Sequence, residues 1–149
     1  AEYGSGLAIF AFGYNGSNVS VSNLVNSSGV ISADVSGVGS ARRTLAAAAY
    51  STDKAIFGYG YTDADTAVTN LVSNIGVVAA DVSGVGDTRA YLAAAKYGGD
   101  KAIFGFGSAS ASRVATTNLV NSSGVVAADV SGVGTAREQI KGAAYSTSA

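Results

Sequence analysis

The sequence predicts an all-β chain of three tandem, four-stranded antiparallel units of about 47 residues. Three observations predict it. The stretch Asn-Leu-Val-x-x-x-Gly-Val-Val-Ala-Ala-Asp-Val-Ser-Gly-Val-Gly at Asn70–Gly86 has close relatives at Asn23–Gly39 and Asn118–Gly134, each soon followed by an arginine, Arg42, Arg89 or Arg137. Self-similarity at such a period marks an architecture in which one supersecondary unit stacks on the next. Phe10, Phe57 and Phe104 stand 47 residues apart, and the arginines 47 and 48, so one extra residue lies in the third copy between Phe104 and Asn118. Between these landmarks the pattern is β, with short runs of β-branched and aromatic residues punctuated by Gly and Asn.

Each unit has four strand positions, a to d. Position a is Arg89-Ala-Tyr-Leu-Ala-Ala-Ala-Lys-Tyr97 and its counterpart from Arg42. Ala and Leu favour helix. The segment is short, however, and runs through Tyr-Gly-Gly-Asp straight into the next strand, so it reads as a strand of small residues; a helix packed on a sheet is the alternative. Position b is Lys54-Ala-Ile-Phe-Gly-Tyr-Gly-Tyr61. Its adjacent Ile56 and Phe57 point to opposite faces, as in a strand buried on both sides. Tyr50-Ser-Thr-Asp-Lys54 and Tyr97-Gly-Gly-Asp-Lys101 join a to b as hairpins. Position c is Ala67-Val-Thr-Asn-Leu-Val-Ser73 and position d is Val77-Val-Ala-Ala-Asp-Val-Ser83. The c–d turns, Asn26-Ser-Ser-Gly29, Ser73-Asn-Ile-Gly76 and Asn121-Ser-Ser-Gly124, end in a Gly suited to positive φ. The units run approximately over 3–49, 50–96 and 97–145 of a single repeat domain, 1–149.

Composition narrows the function classes. Charged residues make up 13% of the chain and the net charge is −1, which gives no basic stripe for nucleic acid and no polybasic membrane anchor. Neither nucleic acid nor membrane is an expected partner. Cys, His, Met, Trp and Pro are all absent from the 149 residues. That removes the usual zinc and copper ligands and the commonest general base and activated nucleophile. The vocabulary suits a simple repeat or an engineered sequence. No catalytic constellation is visible, so the expectation is a chain that is not an enzyme and takes no cofactor.

The run Arg89, Leu92–Ala95, Ile103-Phe-Gly-Phe-Gly107 and Asn118-Leu-Val120 resembles a kelch-type β-propeller blade. It is similar also to tandem Lys-Ala-Ile-Phe-Gly-Tyr-Gly units of environmental and phage-associated proteins. The resemblance covers nearly the whole chain, although Trp is lacking and Gly-x-Gly replaces a Gly-Gly doublet. It implies three blades. Such a fold hosts enzymes and scaffolds alike. A β-trefoil or β-prism is the alternative fold for three units of this size.

Two groups of residues are candidates for function. Asp34, Asp81 and Asp129 each stand eight residues before Arg42, Arg89 and Arg137, and are expected to pair with them as structural ion pairs tying position d of one unit to position a of the next. The b–c loops differ most between copies, and loops on a constant frame are where binding sits. Their candidate ligand residues are Tyr14, Asn15, Asn18, Tyr61, Asp63, Asp65, Ser110 and Arg113, for a glycan or protein ligand. Tyr14, Tyr59, Tyr61 and Phe106 are the aromatic candidates for a glycan surface. Asp63 and Asp65 alone are a poor Ca²⁺ set.

Assembly is the last expectation. Leu7–Phe12 matches position b and Ile140–Tyr145 matches position a, so the first unit is expected to lack its inner strand and the last segment to be an inner strand without a unit. Propellers typically have four to eight blades. Head-to-tail strand exchange between copies of this chain answers both needs. A homodimer would have six blades and a homotrimer nine. The function expected is that of a structural, self-assembling module, with a carbohydrate- or receptor-binding module as the alternative.

Overall fold

The computed structural model describes residues 1–145. Among them the chain forms eleven short strands and no helix. In chain order these are β1 (Glu2–Tyr3), β2 (Leu7–Tyr14), β3 (Asn18–Val25), β4 (Ala46–Tyr50), β5 (Lys54–Tyr61), β6 (Asp65–Val72), β7 (Ala93–Tyr97), β8 (Lys101–Gly105), β9 (Ser108–Ala109), β10 (Ser112–Arg113) and β11 (Thr117–Val120). They build one small antiparallel sheet per unit: β1-β2-β3, β4-β5-β6 and β7-β8-β11, with β9-β10 as a separate hairpin. The alanine runs are strands, not helices. Ala46, Ala48 and Tyr50 alternate as buried residues along β4, which the small side chains allow where β4 meets β7 and β8 of the next unit.

Position d departs from expectation. It is not a regular strand but an outer segment held by two isolated bridges per unit: Val35 to Ser22 and Ile31 to Val25, Val82 to Thr69 and Val78 to Val72, Val130 to Thr117 and Val126 to Val120. The cause is the Asn of position c. The Nδ2 groups of Asn23, Asn70 and Asn118 donate to the carbonyls of Ser32, Ala79 and Ala127. A side chain stands where a ladder bond would run, the competition that Asn offers backbone structure. The c–d turns behave as the sequence implies. Gly29, Gly76 and Gly124 have φ of 78–82°, and the Asn26 side chain accepts the Ser28 and Val30 amides.

Position b carries an unexpected bend. Phe12, Tyr59 and Phe106 have φ of 63–64°, and the ladder slips register there in β2 and β5. The following Gly13, Gly60 and Gly107 donate to the carbonyls of Arg42, Arg89 and Arg137, where the segment leading into the next position a begins, at 2.9, 2.8 and 3.0 Å. A Cβ at Gly107 would meet the Ala90 carbonyl at 2.6 Å, so glycine is required. A non-glycine residue in this region costs roughly 1–2 kcal/mol. The arginine stacked on each of the three rings offsets it. The extra residue of the third copy is absorbed in the β9–β10 turn, where Ser110 and Ala111 both have positive φ, as a two-residue type I′ turn demands.

The core lies between units. Tyr3, Ile9, Ala55, Phe57 and Val72 fill the first junction. Ile56, Tyr59, Leu92, Phe104 and Val120 belong to the second. The outer faces differ from expectation. The first unit does have a strand at position a, the two-residue β1, paired with Leu7 and Ala8. Residues 140–145 form no strand, because no position b stands beside them. Residues 146–149 lie outside the described residues.

Candidate functional site

The recurring arginines are the centre of each junction. Arg42 and Arg89 are fully buried. Their guanidinium groups lie over the rings of Phe12 and Tyr59 of the preceding unit at 4.2 and 4.6 Å, and Arg137 lies over Phe106 at 4.0 Å. This stacking is where the bend at Phe12, Tyr59 and Phe106 aims the aromatic ring. Arg42 Nε donates to the Tyr59 carbonyl at 2.9 Å and Nη1 to the Ser40 carbonyl. Arg89 donates to the Thr116 carbonyl at 2.6 Å and to Asn118 Oδ1. The corresponding atoms of the first junction, Arg42 Nη2 and Asn70 Oδ1, are buried without hydrogen-bond partners. Burial pushes the Arg42 pKa down to about 10, opposed by the charge of Asp81, so Arg42 stays protonated at neutral pH.

The expected aspartate–arginine pairs are corrected by this geometry. Asp34, Asp81 and Asp129 form no ion pair with Arg42, Arg89 and Arg137 among the described residues, where the ion pairs are Lys101–Asp100 and Arg113–Glu138. Asp81 instead accepts the Ser40 amide at 3.0 Å, the Ser40 hydroxyl at 2.6 Å and Asn70 Nδ2 at 2.9 Å. Asp129 accepts the Asp87 amide at 2.8 Å and Asn118 Nδ2 at 2.8 Å. The reason is topological. The arginine eight residues later opens the following unit, while the aspartate turns back to the segment that opens its own unit, and so faces the preceding arginine. Among the described residues Asp34 accepts Asn23 Nδ2 only. Sequence reasoning missed the asparagine, although Asn-Leu-Val is among the most constant parts of the repeat.

The b–c loops gather along one rim. Asn18 accepts Arg43 Nη1 at 2.9 Å and donates to the Thr62 carbonyl at 2.8 Å, tying the first loop to the second. The Arg43 guanidinium lies between the rings of Tyr14 and Tyr61 at 4.9 and 4.7 Å. Asp65 accepts the Ser110 amide at 3.0 Å, tying the second loop to the third. Arg113 pairs with Glu138 at 3.4 Å. Tyr61, Asp63, Asp65, Ser110, Arg43 and Glu138 line part of an open cleft of about 710 Å³. Asn15 stays within its own loop, where it receives the Ser17 amide. Tyr14 is exposed, whereas Tyr59 is fully buried and unavailable to a glycan. Arg43 and Glu138 were missed because neither is repeated: the arginine doublet occurs in the first copy alone.

No family model matches the chain, and no curated protein matches it. Solved structures do. A fungal alcohol oxidase of the AA5 family, solved in complex with copper, aligns over 84% of this chain with a TM-score of 0.58 and 13% identity. This chain spans 28% of that protein's length. The likeness shows a shared fold. It corrects the expectation that the chain is not an enzyme as far as the fold goes, since a similar backbone arrangement forms part of an oxidase. The donor set does not fit copper: the chain has no His or Cys, and no three carboxylates cluster among the described residues.

Proposed function

We propose that the chain is a structural, self-assembling module of three kelch-like propeller blades that associates with further copies of itself. The observation that carries this reading is the pattern of bonds between position-a segments. At one rim, Gly4 and Ser51 donate to the carbonyls of Asp53 and Asp100 of the next unit, both at 2.6 Å. At the other, Tyr91 donates to the Thr44 carbonyl at 2.9 Å and Gln139 to the Tyr91 carbonyl at 2.8 Å. Each unit is thus tied to the next by backbone bonds flanking its first strand, an arrangement that suits propeller blades. Three units are fewer than the four to eight of typical propellers, and open apolar sheet faces favour association. Light scattering tests the reading. A mass of two or three chains supports it, and a mass equal to one chain at all concentrations refutes it.

A second reading, binding of a carbohydrate, is favoured by the rim cleft. Its Tyr61 and Tyr91 rings and its Asp63, Asp65 and Glu138 carboxylates combine apolar surface with acceptors for hydroxyl groups. A glycan array read with the wild type and with a variant exchanged in all three b–c loops tests it. Binding lost in the variant supports the reading; binding retained refutes it.

A further inference from the structure

We infer that the outer faces of the first and third units are two halves of one interface, so that the first unit of one copy docks on the third unit of a second copy. This rests on the self-assembly proposed above and supplies its residues. The two internal junctions are the guide, because each contact they make is left half-finished at both outer faces. Phe57 packs on Phe12 and Phe104 on Tyr59, edge-on at 5.5 and 5.1 Å. The third pair would be Phe10 on Phe106. Phe10 is 60% exposed, and Phe106 lines an apolar cavity of about 190 Å³ with Ile103, Gly105 and Ile140.

The turns repeat the logic. At Gly76 the preceding unit supplies Tyr3 and Leu24, and at Gly124 it supplies Tyr50 and Leu71. Nothing stands within 4 Å of a Cβ placed at Gly29, while the unused counterparts, Tyr97 and Leu119, are each 39% exposed. The charges repeat it too. The carboxylates of Asp81 and Asp129 lie against Gly39 and Gly86, whereas Gly134 has nothing beside it. Asp34 is the unused carboxylate, and Thr135 stands at the position of Ser40 and Asp87. Arg137 is exposed where Arg42 and Arg89 are buried. Every vacancy on one face answers a surplus on the other, with Asp34 and Arg137 of opposite sign. An unrelated partner would have no reason to match all of these.

The backbone fits as well. In the second unit Ala46 and Ala47 pair with Gly58 and Phe57. The repeat sets Lys141 and Gly142 against Ala11 and Phe10, on the edge of β2 beyond its pairing with β1. The junction is heterologous, so it closes into a ring or extends into a filament.

Two single variants and their mixture test this. Phe10→Glu disables the first face, and Leu119→Glu disables the second. Both side chains are exposed, so neither change disturbs the fold of the single chain. Each variant alone should have the mass of one chain. Their equimolar mixture should reach the mass of two chains and no more, since one intact junction remains. If the wild type assembles and either variant alone assembles to the same mass, the inference falls while self-assembly stands. If the wild type has the mass of one chain, both fall.

Discussion

A buried arginine stacked on an aromatic ring is the residue on which each junction turns. Arg89 makes charge-assisted bonds to the Thr116 carbonyl and Asn118 and covers Tyr59. At roughly 1.5–3 kcal/mol for a hydrogen bond to a charged group, Arg89→Ala should cost about 3 kcal/mol or more of stability. Denaturant unfolding would read this as a lowered midpoint. An unchanged midpoint would mean that the stack and its bonds contribute nothing net. The aspartates act elsewhere. Burial alone would raise the Asp81 carboxyl, but hydrogen bonds from Ser40 and Asn70 and the charge of Arg42 hold it below its ordinary value. The ionised form is therefore the one the fold favours. Its contribution is full above the ordinary carboxylate pKa and is lost as pH falls through the depressed folded value. Melting temperatures followed down through the carboxylate range should fall more steeply for the wild type than for Asp81→Asn. Parallel curves would contradict the role given to Ser40 and Asn70. That aspartate and arginine recur together was legible in the sequence. That they serve neighbouring units in opposite directions was not, because spacing along the chain does not say which way a side chain turns.

At the scale of the strand, the Gly and Asn punctuation was readable. Asn26-Ser-Ser-Gly29 demands positive φ at its last residue and has it. The alanine strands were readable from their short connections, against their helix propensity. Position d was not, since a short run such as Val77–Ser83 looks like any strand, and only the Asn70 side chain explains why its ladder is broken. The bend at Phe12, Tyr59 and Phe106 was hidden for a related reason. Aromatic residues rarely take positive φ, and the contact that fixes them there comes from the next unit. The β9–β10 turn carries the same kind of strain without a stacked arginine. Ala111 has φ of 64°, a conformation glycine adopts freely. Ala111→Gly should therefore stabilise the protein by about 1 kcal/mol, read as a raised melting temperature. A lowered one would mean that the turn is not the strained element described.

For the whole molecule, the all-β class and the three units were legible because period and turn chemistry are local properties. The loop cleft was legible only in part. Variability marked the b–c loops, yet the residue that joins two of them, Arg43, is unique to one copy and so carried no signal. The proposed assembly rests on repetition. A junction made twice inside the chain leaves its two halves at the outer faces, Phe10 on one and Phe106 with Arg137 on the other. The one prediction at this scale is a closed set of blades. Native mass spectrometry of the wild type tests it most directly. The account predicts a single species of two or three chains of 14.6 kDa, constant across protein concentrations. A continuous ladder of chain numbers would contradict closure, and a single chain throughout would contradict the assembly itself.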